Sequence, residues 1–283
     1  MTVSQPTTVA EALAWGEREL PVREGLLDPR REAHWLLARA LGRDETWLLI
    51  HPEAEVPASA VATYRQWLVR RAAGEPAHHL LGSCPFWGRD FVVSPATLVP
   101  RPETELLVQA ALALKLAAAA RVVDVGTGTA CIAVSLALAR PRWQVMGVDR
   151  SLPALAVAWL NVAALRAPVA LVAGHLAAAV GGPVDLVVAN LPYIPSARLA
   201  GLPVEVRHDP VVALDGGPDG LALVRRLLAD APRVLARQGH LVLELGEGQA
   251  APALQEAEAH GLTGECRARD LGGVERVLVL RRD

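Results

Sequence analysis

At 283 residues the chain exceeds the usual size of one domain, so one large or two unequal domains are expected, and 52% hydrophobic residues supply a sizeable core. A formal net charge of −2 argues against a strongly basic nucleic-acid binder and leaves at most a local basic patch. Cys84, Cys131 and Cys266 are widely spaced without a metal-ligand pattern, the N-terminus lacks a signal-peptide core, and the apolar stretch Ala110 to Ala120 is too short for a bilayer. The expectation is a cytoplasmic protein with no metal and no membrane partner, its cysteines serving as small core residues.

From about Thr8 to about Ala73 the apolar spacing is helical. Arg30 to Leu41 puts Ala33, Leu36, Leu37, Ala40 and Leu41 on one face, with Gly42 as a stop; Val61 to Ala73 turns Tyr64, Trp67 and Leu68 inward and its arginines outward. Gly74-Glu75-Pro76 breaks the pattern, so a helical domain over 1–75 is expected, of the kind that binds a partner or covers a site. The period then changes: Phe86 to Val93 reads as a hairpin turning near Gly88, within a linker over 76–100. His78-His79 invites a metal reading, but adjacent histidines on a strand point to opposite faces, and a hairpin surface is the preferred reading.

Pro100-Arg101-Pro102-Glu103-Thr104-Glu105 opens a helix, with proline in its first turn and glutamates at the positive end of its dipole. Arg101 and Glu103 therefore fit a helix-start role as well as a site-lining one. From Arg121 strands and helices alternate at βαβ spacing, with strands at Arg121 to Val125, Trp143 to Val148, Val169 to Ala173, Val184 to Ala189, His240 to Leu245 and Arg276 to Leu280. This predicts a doubly wound, Rossmann-like, mostly parallel sheet over 101–283.

The chemistry sits where these strands end. Gly126-Thr127-Gly128-Thr129-Ala130 follows the strand that carries Asp124, and glycine lets backbone approach a ligand closely. Asp149 ends the next strand, where a nucleoside-binding βαβ unit keeps an acid for ribose hydroxyls; capping of a helix starting near Ser151 is the alternative. Asn190-Leu191-Pro192-Tyr193 follows the fourth strand. The Asn190 side-chain oxygen and the Leu191 carbonyl together accept two hydrogen bonds from one –NH2 group, Pro192 biases Leu191 to extended backbone, and Tyr193 stacks on a flat substrate. An ordinary strand-to-loop turn is the bland alternative. A nicotinamide dehydrogenase wants Gly or Ala at the sixth place from Gly126, where Cys131 stands.

With Asp28-Pro29-Arg30-Arg31-Glu32-Ala33, Phe86-Trp87-Gly88, Phe91, Val99 to Glu105, Asp124 to Thr129, Asn190 to Tyr193, Gly217 to Leu221 and Leu243 to Gln249, the chain resembles the bacterial release-factor glutamine methyltransferases along nearly its whole length. The resemblance implies a class I methyltransferase domain over 101–283, with a seven-stranded sheet carrying one antiparallel strand near its edge. It also implies S-adenosylmethionine as cofactor and the glutamine amide in the Gly-Gly-Gln loop of peptide chain release factors as substrate. Asp124, Gly126, Thr127, Gly128, Thr129, Ala130, Asp149, His175, Leu176 and Asn190 would then serve the cofactor. Asn190, Leu191, Pro192 and Tyr193 would orient the glutamine, with Arg101 and Glu103 beside it, and the helical domain would recognise the release factor. Three positions depart from the family pattern: Leu191 stands at a usual proline, His175 near a usual acidic residue, and His208-Asp209-Pro210 at a usual aromatic-Glu-Pro. Two other readings remain open on the same residues, a nucleic-acid amino-group methyltransferase and a non-catalytic binding module.

Overall fold

The computed structural model describes residues 6–22 and 28–283, apart from the side chains of 265–267, among them Cys266. Two compact units result, one of residues 1–82 with 202–208, the other of 83–201 with 209–283.

The first unit is helical: α1 Val9–Glu19, α2 Pro29–Leu41, α3 Glu45–Ile50, α4 Ala58–Ala72 and α5 Ala77–Leu81. Thr8 and Glu11 close a capping box on α1, the Asp28 side chain accepts from Arg30 N at the start of α2, and Gly42 ends α2 in the left-handed region. Ala33, Leu36, Leu37, Tyr64 and Leu68 are buried together as the spacing predicts. The outward reading of the arginines fails at Arg71, which an ion cluster draws into the core. Arg71, 1% exposed, pairs with both oxygens of Glu32 and lies 2.8 Å from Glu205 Oε2, while its Nη1 donates to the Glu75 carbonyl at 3.0 Å. His78 and His79 lie on α5, not on a strand: Pro76 opens a helical turn there and Gly82 closes it in the left-handed region.

The second unit opens with the hairpin β1 Ser83–Phe86 and β2 Arg89–Val92, turning at Trp87-Gly88 as expected. Phe86 and Phe91 are buried in the core of this unit, so the hairpin packs as part of it. Asn161, buried on α8 (Leu152–Ala164), holds it there by accepting from Val92 N at 2.7 Å and donating to the Val92 carbonyl at 3.0 Å.

Helices α6 Glu105–Ala113, α7 Cys131–Ala139, α9 Ala222–Val234 and α10 Ala250–Ala259, with α8, flank seven strands: β3 Arg121–Val125, β4 Gln144–Asp149, β5 Val169–Ala173, β6 Val184–Asn190, β7 Leu235–Glu244, β8 Leu262–Arg269 and β9 Glu275–Arg282. Their order is β5-β4-β3-β6-β7-β9-β8, and β9 runs against the direction of the other six. The near-continuous valines and leucines of β3, β6 and β7 are buried on both faces, as a covered parallel sheet requires. Strand β8 was not visible in the pattern, because its Thr263-Gly264-Glu265 run lies on the sheet edge and carries no apolar period. Between β3 and β6 the strand order reverses, and the crevice at their carboxyl ends is where an open α/β sheet binds ligands.

Candidate active site

Two turns build that crevice. After β3 the chain enters Gly126 and Gly128 with φ of 75° and 53°, and Ala130 follows in the left-handed region at the start of α7. Gly126 N and Thr127 N both donate to the Val148 carbonyl, at 2.8 and 3.0 Å. The φ of Gly126 favours glycine, and a Cβ there would crowd Leu191 Cδ2 at 3.3 Å, so the two turns approach closely. Asp124 lies beneath the loop with no exposed surface. Its Oδ2 accepts from the Thr127 hydroxyl at 2.6 Å and from Ala133 N at 3.2 Å, while burial pushes its carboxyl up to about 7.

Asp149 ends β4 facing the same space. Its Oδ2 accepts from Gly128 N and its Oδ1 from Ser151 N, each at 2.9 Å. The helix cap is Ser151, whose hydroxyl oxygen accepts from Ala154 N. Asp149 thus joins the glycine loop to the start of α8 and is not the cap of that helix.

The cleft holds about 940 Å³ of empty space, open solvent at its mouth included. Of the residues singled out in the sequence, Gly126, Thr127, Gly128, Thr129, Asp149, His175, Leu176, Asn190, Leu191, Pro192 and Arg101 line it. Asp124 and Ala130 support the loop from below, and Glu103 and Tyr193 stand outside the lining, both close to Glu244. His175 titrates below its ordinary value through burial and the charges of Arg226 and Arg150, so the imidazole is neutral at pH 7.

At the mouth, Asn190 Nδ2 donates to the Thr104 hydroxyl at 3.0 Å, and no donor reaches Asn190 Oδ1 among the described residues. The Leu191 side chain, at the position where proline was expected, is buried in the core, which fixes this turn by packing. Two further segments clamp the turn. Gln249 Nε2 donates to the Tyr193 carbonyl at 2.9 Å while its Oε1 accepts from Gly246 N at 2.8 Å. Gly220, with φ of 82°, leaves room for that carbonyl.

Thr104, Asp209, Glu244, Gln249 and Asn161 were given no role from sequence. Thr104, Glu244 and Gln249 stand within runs that carried the family resemblance, and that was the available signal. Asp209, in the odd His208-Asp209-Pro210 stretch, accepts from Arg101 Nη2 at 2.6 Å and from Val99 N at 3.3 Å.

A cleft at the reversal of strand order, lined by a glycine turn, a strand-terminal acid and the Asn190 amide, is the arrangement of a methyltransferase. Similarity supports the class. Residues 102–200 match the methyltransferase small domain and residues 11–82 the PrmC N-terminal domain. A methyltransferase from Pyrococcus furiosus superposes with a TM-score of 0.55 over 70% of this chain and 90% of its own, at 18% identity, which shows the shared fold. The release factor glutamine methyltransferase of Pseudomonas aeruginosa is 42% identical over 250 residues, covering 88% of this chain and 91% of its own. That of Geobacter sulfurreducens is 40% identical and covers 96% and 95%. The chain belongs to the release factor glutamine methyltransferase family.

Proposed function

We propose that this chain transfers a methyl group from S-adenosylmethionine to the side-chain amide nitrogen of the glutamine in the Gly-Gly-Gln motif of peptide chain release factors. The observation that carries the reading is Asn190, which lines the cleft with Leu191 and Pro192 while its Nδ2 donates to the Thr104 hydroxyl, so that Oδ1 is left to accept.

The residues fit the cofactor. Gly126 to Thr129 offer close-approaching backbone, Asp149 a carboxylate held against that turn by Gly128 N, and His175 and Leu176 a partly apolar wall. Bound there, the cofactor supplies an electrophilic methyl group on a sulfonium. The chain itself does the rest. A glutamine amide nitrogen is a weak nucleophile because its lone pair is delocalised into the carbonyl. When Asn190 Oδ1 and the Leu191 carbonyl accept its two N–H hydrogens, the amide plane is fixed and electron density on nitrogen rises. The same two dipoles lie beside the positive charge that develops on nitrogen. The amide loses a proton after transfer, so a strong base is not required.

The helical unit, residues 1–82 with 202–208, is the part assigned to recognition of the release factor, and Arg71 with Glu32 and Glu205 fixes its interior. The test is mass spectrometry of a purified bacterial release factor after incubation with this protein and S-adenosylmethionine. One added methyl group on the Gly-Gly-Gln peptide, absent with Asn190→Ala, is expected. No addition by a sample that binds the cofactor overturns the substrate assignment.

A further inference from the structure

Asn190 ends β6 in register with Glu244, the last residue of β7. Parallel neighbours at one register position present their side chains to the same face, and Glu244 is 2% exposed. Thr104, equally buried, stands with them, its hydroxyl accepting from Asn190 Nδ2 at 3.0 Å. Thr104 and Asn190 are polar side chains beside the Glu244 carboxyl that pull its titration down, and its buried Oε2 has no hydrogen-bond partner among the described residues. The polarity of this cluster follows from donor inventory. An ionised carboxylate only accepts, so the Thr104 hydroxyl hydrogen points to Glu244 and its oxygen is left to accept from Asn190. Both ends of the Asn190 amide are thereby assigned: –NH2 inward, Oδ1 outward.

We propose that Glu244, acting through Thr104, is a positioning residue that fixes which end of the Asn190 amide faces the methyl acceptor. The inference rests on the reading of Asn190 as an acceptor for the substrate –NH2 group. A flipped Asn190 would present its own –NH2 to the substrate –NH2, donor against donor, and the site would reject its substrate. An Asn amide has no intrinsic preference between the two orientations, so the discrimination has to come from its neighbours.

Protonation of Glu244 reverses the cluster. A neutral carboxyl donates to Thr104, whose hydroxyl is then free to donate to Asn190 and draw Oδ1 inward. Burial raises the Glu244 carboxyl to about 7; Thr104, Arg276 on β9 and Asn190 pull it down and Glu103 pushes it up, with Tyr193 adjacent. Turnover is therefore lost as the pH falls through this range.

The experiment compares the full-length variants Thr104→Val, Thr104→Ser and Glu244→Met with Asn190→Ala, measuring steady-state methylation of a release factor and calorimetric stoichiometry for S-adenosylmethionine. Thr104→Val and Glu244→Met are expected to bind one cofactor per chain and to lose about 10- to 100-fold in kcat, as misplacement of an orienting group does. Thr104→Ser, which keeps the hydroxyl, recovers most of the loss seen in Thr104→Val, and the acid limb of the kcat profile disappears in Glu244→Met. Undiminished kcat in Thr104→Val and Glu244→Met, with Asn190→Ala inactive, overturns the positioning role and leaves Asn190 standing. An active Asn190→Ala instead overturns the acceptor reading on which it rests.

Discussion

Arg101 Nη2 lies 2.6 Å from Asp209 Oδ2, in an ion pair whose aspartate side chain is wholly buried and whose arginine is 33% exposed. Val99 N adds a hydrogen bond to the other oxygen, so the segment after Asp209 is tied to the turn that precedes α6. Val212 and Ala213, three and four residues further on, line the cleft. Arg101→Ala leaves a buried carboxylate without its cation, a change that costs about 2–4 kcal/mol when the lost partner was itself partly hydrated. The expected result is a lower urea midpoint together with weaker cofactor binding, because the wall carrying Val212 and Ala213 loosens. Unchanged values for both would leave the pair a surface contact only.

Asp149 offers a second test. Its two oxygens already hold Gly128 N and Ser151 N, so the carboxylate reaches the cleft in one orientation. Asp149→Ala should weaken S-adenosylmethionine binding by about tenfold or more, equivalent to roughly 1.4 kcal/mol per decade. Asp149→Asn retains one acceptor and should fall between. Titration calorimetry reads both, and an unchanged dissociation constant removes Asp149 from the site.

Much of this site was legible because its backbone requirements are local. The glycine turn, the strand-terminal acid and Asn190 to Tyr193 each follow a strand, and the strand pattern fixes where their side chains or carbonyls emerge. What could not be read was pairing across distance. Arg101 fits a helix start and a site lining equally well in the sequence, yet its partner is 108 positions away. Glu32 stands in a helical motif with no partner in view, but Arg71, 39 residues on, draws it into the core. His78-His79 went to a strand because the Pro76 and Gly82 boundaries enclose only one helical turn, too short to show a period. Leu235 to Gly239 precedes the apolar run of β7 and lacks its alternation, while the β6 register shifts beside it.

Gly220 makes a third case. Its φ of 82° is costly for any side chain, and a Cβ there would overlap the Tyr193 carbonyl and Gln249 Nε2. Gly220→Ala should push the 190–193 turn out of place, with a stability loss of about 1–3 kcal/mol and a larger loss of methyl transfer than of cofactor binding. Gln249→Leu removes the hydrogen bond without the overlap and should show the same kinetic pattern, more weakly. Equal losses of transfer and cofactor affinity in both variants would mean that this clamp serves the whole cleft and not the acceptor turn.

The last prediction concerns pH and stability. Burial raises both Asp124 and Glu244 to about 7, against ordinary carboxyl values near 4. Between those limits the folded chain holds protons that the unfolded chain has released. The unfolded state therefore binds fewer protons, and unfolding free energy falls as pH rises from about 4 to about 7, then levels. Glu244→Gln removes one of the two groups while keeping its shape. Relative to the parent chain, the variant should gain stability from pH 4.5 to about 7 and hold that gain at pH 8, even as its turnover falls. Denaturant unfolding of both chains at the first and last of those pH values decides the matter. A difference that stays constant, or shrinks towards pH 8, would show that the Glu244 carboxylate is fully compensated in the fold by Arg276, Thr104 and Asn190.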